Sequence, residues 1–503
     1  MIENLLLGLE TALQLHNLGY AFLGVLLGNI VGVLPGIGSL AAISMVLPIT
    51  YSIHATGALM LLAGLYYGTS FGGVTTAILL NLPGTPSHAV VCLEGHALAR
   101  KGQGGPAIFI AMIASFIGVS VGIILMSGFS PILSDVGLRF SPADYFSLMV
   151  LGLLAASGLG TGSPLNGIAS VIIGLLFGVI GTDIVTGESR FTFNLTELDD
   201  GLDLVALSMG LFGISDVLLN ASRLQEGSII SKQKLNARSI IPTRSDIKKS
   251  VKPIARGSGI GSFFGTLPGT GAVISAFMAY AVEKKLSTHQ KEFGTGKIEG
   301  VAAPEAANSS AEITAFIPTL TLGIPGSPTM ALILGALMIQ NITPGPSMIN
   351  NHPEVFWGLI ASFWIGNLIL LVLNIPLINL WVRLLAVPYR YIFPTVTLLI
   401  AVGAYSVTNS LFNVYEVFII GVLGFFFIQL KLEPAPMLLG FVLGPLVEEN
   451  FRRALLMSEG QLNTFIIQPI SGISLAITAA ILVWSAYRLS KRTQPPSSTD
   501  SSI

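Results

Sequence analysis

Residues 20–38 read YAFLGVLLGNIVGVLPGIG, an apolar stretch with glycines four positions apart that ends in Leu-Pro-Gly-Ile-Gly. The stretch lies within residues 11–93, which contain no Asp, Glu, Lys or Arg. A helix needs about 20 apolar residues to cross the hydrocarbon core of a bilayer, so this run is long enough for several membrane segments. It therefore predicts a protein that is embedded in lipid.

The composition of the whole chain supports this prediction. Only 10% of the 503 residues are charged, 52% are hydrophobic, and the mean hydropathy is +0.77. Soluble domains carry about 25% charged residues, because their surfaces face water. We predict an all-α polytopic membrane protein with about 10–12 transmembrane segments in two related halves, and with re-entrant or broken helices at Pro-Gly motifs. The single cysteine, Cys92, excludes an internal disulfide.

One polar segment divides the chain. Residues 221–256 contain nine Lys or Arg and only two acidic residues, which predicts a cytoplasmic loop. The acidic stretch 188–203 would then lie on the outer side, one span away. The predicted division is a first transmembrane half over 1–220, a basic cytoplasmic linker over 221–256, a second transmembrane half over 257–487, and a disordered cytoplasmic tail over 488–503.

The two halves repeat each other. Seven residues of the first glycine-rich block recur 233 positions later, where the second block ends in Leu-Pro-Gly-Thr-Gly. The block LPGTPS at 82–87 recurs 242 positions later as IPGSPT at 324–329, and a charged insertion at 283–300 accounts for the larger offset. The acidic N-terminus, with Glu3 and Glu10, favours an inverted relation over a parallel one. Such duplication is typical of secondary transporters, whose site lies where the repeats meet.

Four Pro-Gly breaks interrupt the apolar sequence, at 35–38, 83–86, 268–271 and 325–328. Irregular backbone at membrane depth is tolerated only where protein or a watery cavity surrounds it. The free N–H groups of a restarted helix bind anions, although simple capping and tight turns are the alternative reading of any single break. We interpret the matched pairs as one binding cavity and the preceding glycine ladders as helix packing. The candidate substrate or ion ligands at the breaks are Gly36, Gly38, Ser39, Asn81, Gly84, Thr85, Ser87, Gly269, Thr270, Gly271, Gly326, Ser327 and Thr329.

Further candidates precede the last break. Glu305 and Glu312 are seven residues apart and would share a helix face, and acidic residues within membrane segments are functional candidates. The nearby charged loop leaves open an interfacial position for Glu305. Asn308 and Ser309 are suitable ligands for a Na⁺ ion or a substrate, so we consider a Na⁺ site near Asn308. The six histidines show no metal-site spacing, no Walker motif is present, and no catalytic residues or cofactor are predicted.

These passages resemble the large membrane subunit of the tripartite tricarboxylate transporters, the TctA family. The resemblance implies a multi-pass permease of the bacterial inner membrane that works with a small membrane subunit and a periplasmic solute-binding protein. It further implies import of citrate or a related carboxylate by symport, driven by a Na⁺ or H⁺ gradient and not by ATP. The passages that carry the resemblance are 32–38, 66–73, 77–84, 99–102, 181–187, 190–193, 265–271, 300–308 and 316–326.

Two alternatives stay open at this point. A stand-alone carrier or channel for another small solute would share the membrane segments and the breaks but need no partner subunits. A membrane-embedded enzyme is less favoured, because no nucleophile or acid–base pattern supports it. The motifs do not identify which carboxylate is carried.

Overall fold

The chain folds into α-helices joined by short turns, and the computed structural model describes residues 2–34, 37–157, 164–183, 185–221, 240–267, 271–384 and 389–492. The candidates Gly36, Gly269 and Thr270 lie outside these ranges. In the first half the helices are α1 (Ile2–Leu13), α2 (Leu15–Val33), α3 (Ser39–Val46), α4 (Ala55–Leu80), α5 (Ala89–Arg100), α6 (Gly104–Gly137), α7 (Pro142–Ser157), α8 (Pro164–Gly178), α9 (Leu204–Ser208) and α10 (Ser215–Ala221). Short 3-10 helices cover Leu47–Ser52, Pro86–His88 and Thr196–Leu198, and a π-helical turn, Met209–Ile214, joins α9 to α10.

The second half is also helical. Its helices are α11 (Arg244–Gly265), α12 (Gly271–Leu286), α13 (Glu299–Thr314), α14 (Phe316–Leu322), α15 (Pro328–Ile339), α16 (Met348–Asn351), α17 (Pro353–Asn374), α18 (Ile378–Leu384), α19 (Tyr389–Thr408), α20 (Leu411–Gln429), α21 (Pro434–Met457), α22 (Thr464–Ile467) and α23 (Pro469–Arg492). A 3-10 turn covers Gln290–Glu292. In the described ranges the strands are β1 (Gly181–Thr182) and β2 (Ser189–Arg190), an antiparallel pair that aligns Gly181 with Arg190. The all-α polytopic fold is confirmed.

Six described helices are long and apolar enough to cross a membrane: α2, α4, α6, α17, Tyr391–Thr408 within α19, and α20. Six shorter apolar helices accompany them, among them α7, α8 and α15. The helix α4 is buried along its whole length by protein, whereas much of α19 and α20 is exposed. Exposed apolar side chains on a membrane protein face lipid, so α4 lies at the centre of the molecule and α19 and α20 at its rim.

The glycine ladder of the first half forms a close helix contact between α2 and α4. A Cβ placed on Gly24 would lie 2.3 Å from the Leu61 carbonyl oxygen, and one placed on Gly32 would lie 2.1 Å from that of Thr69. Only glycine allows the two backbones to approach so closely. Residue numbers rise together along the contact, so α2 and α4 are parallel and α3 runs back between them.

The second half repeats this contact between α11 and α13. A Cβ placed on Gly257 would lie 2.2 Å from the Ala303 carbonyl oxygen, and one placed on Gly261 would lie 2.2 Å from that of Ala307. The glycines are offset by 233 positions from those of α2, and their partners are offset by 242 positions from those on α4. The duplicated sequence is therefore a duplicated three-dimensional unit, and the ladders serve helix packing as predicted.

The equivalent helices α4 and α13–α14 cross in opposite directions. The Tyr66 ring of α4 lies 6.4 Å from the Phe316 ring of α14. One turn further along α4, the Ser70 hydroxyl accepts a hydrogen bond from Asn308, which lies two turns before Phe316. Residue numbers therefore rise along one helix as they fall along the other. Since the two helices are related by the repeat, their antiparallel packing supports an inverted arrangement of the halves.

Candidate functional site

Gly265, just before the break at 268–271, and Gly271, its last residue, both lie close to the break at 325–328 in the protein interior. A Cβ placed on Gly326 would lie 3.6 Å from the Gly265 carbonyl oxygen, and one placed on Gly271 would lie 4.0 Å from the Ser327 Cβ. The Ser327 hydroxyl caps α15 by accepting a hydrogen bond from the Met330 N–H, and the Tyr66 hydroxyl of α4 is adjacent to it. The N-termini of α12 and α15 therefore converge at one place.

The second break of the first half folds back against α4. A Cβ placed on Gly84 would lie 2.3 Å from the Gly73 Cα, so the chain returns about two turns along the helix that it has just left. The buried Thr85 hydroxyl lies 2.8 Å from the Ser87 hydroxyl and 3.0 Å from His88 Nδ1. This break presents two hydroxyls and an imidazole toward the interior.

The breaks of one half contact the other half. The helix α12 packs against Pro86–His88, and α15 packs against α3, which starts at Ser39 directly after the first break. The N-termini of α12 and α15 and the turn Pro86–His88 therefore lie where the halves meet. The partial positive charge of a helix N-terminus favours anions, which is the chemistry expected of a carboxylate site.

A polar stripe on α13 faces this junction. Glu305, Asn308, Ser309 and Glu312 occupy positions i, i+3, i+4 and i+7, and none is more than 3% exposed. The Ser115 hydroxyl of α6 donates to Glu305 Oε1 at 2.7 Å. Asn308 Nδ2 donates to the Ser70 hydroxyl at 2.7 Å, and both side chains lie beside the Glu312 carboxylate. The stripe therefore joins α13 to both α4 and α6.

Each member of the stripe also has a buried oxygen that finds no hydrogen-bond partner among the described residues: Glu305 Oε2, Asn308 Oδ1, Ser309 Oγ and Glu312 Oε2. No Lys or Arg in the described ranges forms an ion pair with either carboxylate. Burying an uncompensated charge is costly, so the stripe requires protons or a bound cation. Carboxylate, amide and hydroxyl oxygens are the ligands preferred by a hard cation.

Sequence reasoning missed His88. The Thr85 N–H donates to His88 Nδ1 at 3.3 Å, so Nδ1 acts as an acceptor and the ring proton lies on Nε2. His88 Nε2 is fully buried and lies 3.7 Å from Glu305 Oε2, and it has no hydrogen-bond partner in the part of the chain that the structure describes. His88 thus connects a break of the first half to the stripe of the second. Its position directly after the break was the only sequence signal, because it has no metal-site spacing.

Several predicted residues lie apart from this cluster. Asn81 ends α4 in the left-handed conformation, with φ of 59°, and is exposed. Gly38 and Ser39 are half-buried, and a Cβ placed on Gly38 would have no neighbour within 4 Å in the described ranges. Thr329, by contrast, is buried in the first turn of α15, two residues after Ser327, and so lies beside the cluster. The residues brought together are Thr85, Ser87, Gly271, Glu305, Asn308, Ser309, Gly326 and Ser327.

A second polar cluster lies away from the breaks, in a cavity of about 850 Å³ beside the β1–β2 hairpin. Asp183 accepts hydrogen bonds from Arg452 at 2.7 and 3.1 Å and pairs with Arg190 at 3.2 Å. Glu448 pairs with both arginines. Each arginine is therefore neutralised by carboxylates, which makes this cluster a structural network and not an anion site.

Replacing Asp183 with Asn should make the protein less stable at neutral pH. Arg452, together with the Val185 N–H, holds the pKa of the Asp183 carboxyl well below its usual range. A lowered pKa in the folded protein contributes stability that is present above the ordinary carboxyl pKa of about 3.9 and is lost as the pH falls below it. Thermal unfolding at pH 7 should therefore occur at a lower temperature in Asp183→Asn than in the wild type. On acidification the unfolding temperature of the variant should fall less than that of the wild type. The exposed Asp200→Asn is the control, and equal shifts in both variants would contradict the network.

Comparison with known proteins identifies relatives over nearly the whole chain. The family model described as the tripartite tricarboxylate transporter TctA family matches residues 18–439. An uncharacterised 52.8 kDa protein of the TAR-I ttuC' 3' region of Agrobacterium vitis is 47% identical over 483 residues, which cover 96% of both chains. A second uncharacterised protein, from the TAR-II ttuC' 3' region of the same organism, is 51% identical over 236 residues, 46% of this chain and 98% of that protein.

Proposed function

The chain belongs to the tripartite tricarboxylate transporter TctA family, and on this basis we propose that it is a permease that imports a citrate-like carboxylate with an ion gradient. Family membership supports the coarser statement, that the chain is a multi-pass membrane component of a tricarboxylate transporter. The substrate class and the ion coupling are our proposals. The observation that carries them is that the helix N-termini at the breaks lie beside the buried polar stripe of α13.

The N-termini at the breaks would bind the substrate carboxylates. The Thr85, Ser87 and Ser327 hydroxyls, with the backbone N–H groups that follow each break, are hydrogen-bond donors of the kind that anions require. We assign the substrate site to this junction.

The stripe of α13 would bind the coupling ion. Two bare carboxylates, Glu305 and Glu312, would repel an anionic substrate at close range, since like charges in a medium of low dielectric interact strongly. Protonation, or a Na⁺ ion held by the unpartnered oxygens of the stripe, removes that repulsion. Binding of the cation thereby favours binding of the anion, which is the thermodynamic requirement for symport.

The partners follow from the family and are proposed with the function. A small membrane subunit would complete the permease, and a periplasmic solute-binding protein would deliver the carboxylate. The bacterial inner membrane is the location that this assembly requires. The basic residues between the halves would face the cytoplasm.

Uptake in proteoliposomes tests the proposal. The chain is reconstituted with its small subunit and binding protein, and uptake of labelled citrate and other di- and tricarboxylates is measured under an imposed Na⁺ or proton gradient. We expect accumulation that needs the binding protein and one of the gradients. Equal accumulation by the chain alone would favour a stand-alone carrier, and turnover of a lipid or peptide without any uptake would favour an enzyme.

A further inference from the structure

Glu94 is a fully buried carboxylate that the proposed transport site does not use. It lies on α5 and accepts hydrogen bonds from the Tyr280 hydroxyl at 2.9 Å and from the backbone N–H groups of Gly296 and Lys297 at 2.7 and 2.8 Å. The Gly294 N–H is a fourth donor. Four donors on one carboxylate make a strong, charge-assisted connection.

This connection joins the two halves next to the candidate site. Glu94 lies six residues after His88, on the helix that starts at the second break of the first half. Its backbone partners belong to the segment between α12 and α13, and α13 reaches Glu305 eight residues after Lys297. That segment is part of the charged insertion, which has no counterpart in the first half. Making or breaking the Glu94 connection would therefore move α5, which directly follows His88, and α13, which carries Glu305.

The Glu94 connection lies at the basic end of the molecule. The helix α5 ends at Arg100 and Lys101, and α12 ends with Lys284 and Lys285. Arg256 of α11 pairs with Glu283 of α12 at 2.6 Å, which places the end of the basic linker at the same location. Because basic residues stay on the cytoplasmic side, the Glu94 connection closes the cytoplasmic end.

A weaker connection occupies the corresponding place in the other repeat. Gln340, directly after α15, donates to the carbonyl oxygens of Thr50 and Ile53, at 3.2 Å for the latter. Thr50 belongs to the 3-10 helix after α3, so Gln340 joins the same pair of elements as Glu94 does, with the halves exchanged. The antiparallel packing of α4 and α13 places this second connection at the opposite end of the site.

We propose that Glu94 and Gln340 are the two gates of the transport pathway, Glu94 closing it toward the cytoplasm and Gln340 toward the outside. The inference rests on the proposed transport function and adds its gating to it. With both connections made, the stripe of α13 is closed off from both ends, which agrees with its near-complete burial. The Glu94 gate is the stronger of the two, because a charged carboxylate there accepts four hydrogen bonds. The Gln340 gate therefore opens more readily, and the resting protein opens preferentially to the outside, as an importer requires.

Cysteine accessibility tests the gates without any transported substrate. The reporter is Ser309→Cys in a Cys92→Ser background, since Ser309 Oγ loses no hydrogen bond to any described residue and Cys92 is the single native cysteine. A membrane-impermeant thiol reagent is applied to right-side-out and inside-out vesicles that contain the full chain. Labelling rates from each side are compared between gate variants.

We expect opposite shifts from the two variants. Glu94→Ala should raise labelling from the cytoplasmic side by about tenfold or more, the effect of losing at least one hydrogen bond to a charged group, and should lower labelling from the outside. Gln340→Ala should raise labelling from the outside. Equal increases from both sides would indicate a loosened fold and would overturn the proposal, as would unchanged rates.

A milder variant keeps the test decisive if Glu94→Ala does not fold. Tyr280→Phe removes one donor to Glu94 and leaves the carboxylate and its backbone donors in place. It should shift labelling in the same direction as Glu94→Ala, by a smaller factor. No shift in Tyr280→Phe, in a protein that inserts normally, would also contradict the cytoplasmic gate. Because labelling needs no substrate, failure of the uptake assay would leave these outcomes distinguishable.

Discussion

Substituting glutamine for Glu305 is expected to lower gradient-driven uptake by about 100-fold or more, because under the proposed mechanism this buried intramembrane carboxylate carries the coupling ion. Glutamine cannot take up and release a proton, and it lacks the charge that would hold Na⁺. Exchange of labelled for unlabelled substrate at equal concentrations should continue, since it needs no net movement of the ion. The initial rate of uptake and the rate of exchange are measured on the same proteoliposomes.

The same helix provides a matched control for Glu305→Gln. Glu299 lies in the first turn of α13, six residues before Glu305 and outside the stripe, so Glu299→Gln makes the same chemical change away from the site. Glu299→Gln should keep most of the uptake. Glutamine is isosteric with glutamate, keeps an oxygen that can accept from the Ser115 hydroxyl, and removes a buried charge, so the variant should insert and fold normally. Wild-type uptake by Glu305→Gln would exclude it as a carrier of the coupling ion.

The second large effect is expected from Gly84→Ala. Its new methyl group would lie 2.3 Å from the Gly73 Cα, and neither backbone can move away without displacing the break or α4. Overpacking of this kind costs about 1–3 kcal/mol or more, and the displacement would disturb Thr85, Ser87 and His88 together. Uptake should fall by about fivefold to about 150-fold or more, since about 1.4 kcal/mol corresponds to a tenfold change.

Gly326→Ala is the matched comparison, because Gly326 occupies the equivalent position of the second half. Among the described residues no atom would lie closer than 3.6 Å to its methyl group, an ordinary van der Waals contact, so uptake and membrane insertion should stay near the wild-type level. The two glycines occupy equivalent positions in the repeated sequence, but in the structure only Gly84 is packed too tightly to accept a methyl group. Equal losses in both alanine variants, or an active Gly84→Ala, would contradict the packing at the first-half break.

The sequence predicts the architecture well because its signals are local. The charge-free runs require a lipid environment, and the glycine ladders before Leu-Pro-Gly require close helix contacts, which α2–α4 and α11–α13 supply. The face shared by Glu305, Asn308, Ser309 and Glu312 also follows from helical spacing alone. Each of these inferences uses residues within a few turns of one another.

The rest of the site depends on contacts between distant segments. His88 faces Glu305, and Ser115 donates to it, across separations of 217 and 190 positions that no spacing rule addresses. Tyr66 and Ser70 belong to the repeat-related helix that lacks an acidic residue, and they contribute only because the inverted packing turns them toward α13. Asn81 resembled a ligand beside a break, but the chain turns outward there before Gly84 returns to Gly73.

Protection of a single cysteine most directly tests whether the anion and the coupling ion share one site. The protein carries Cys92→Ser and Ser327→Cys, is reconstituted with its partner subunits, and is alkylated in the presence of citrate or other di- and tricarboxylates. We predict that at least one of these anions slows alkylation only when Na⁺ or an acidic pH is supplied, and that Glu305→Gln removes this dependence on the cation. A shared site at the breaks would be contradicted if a carboxylate slowed alkylation equally with and without the cation, or if none of the carboxylates slowed it.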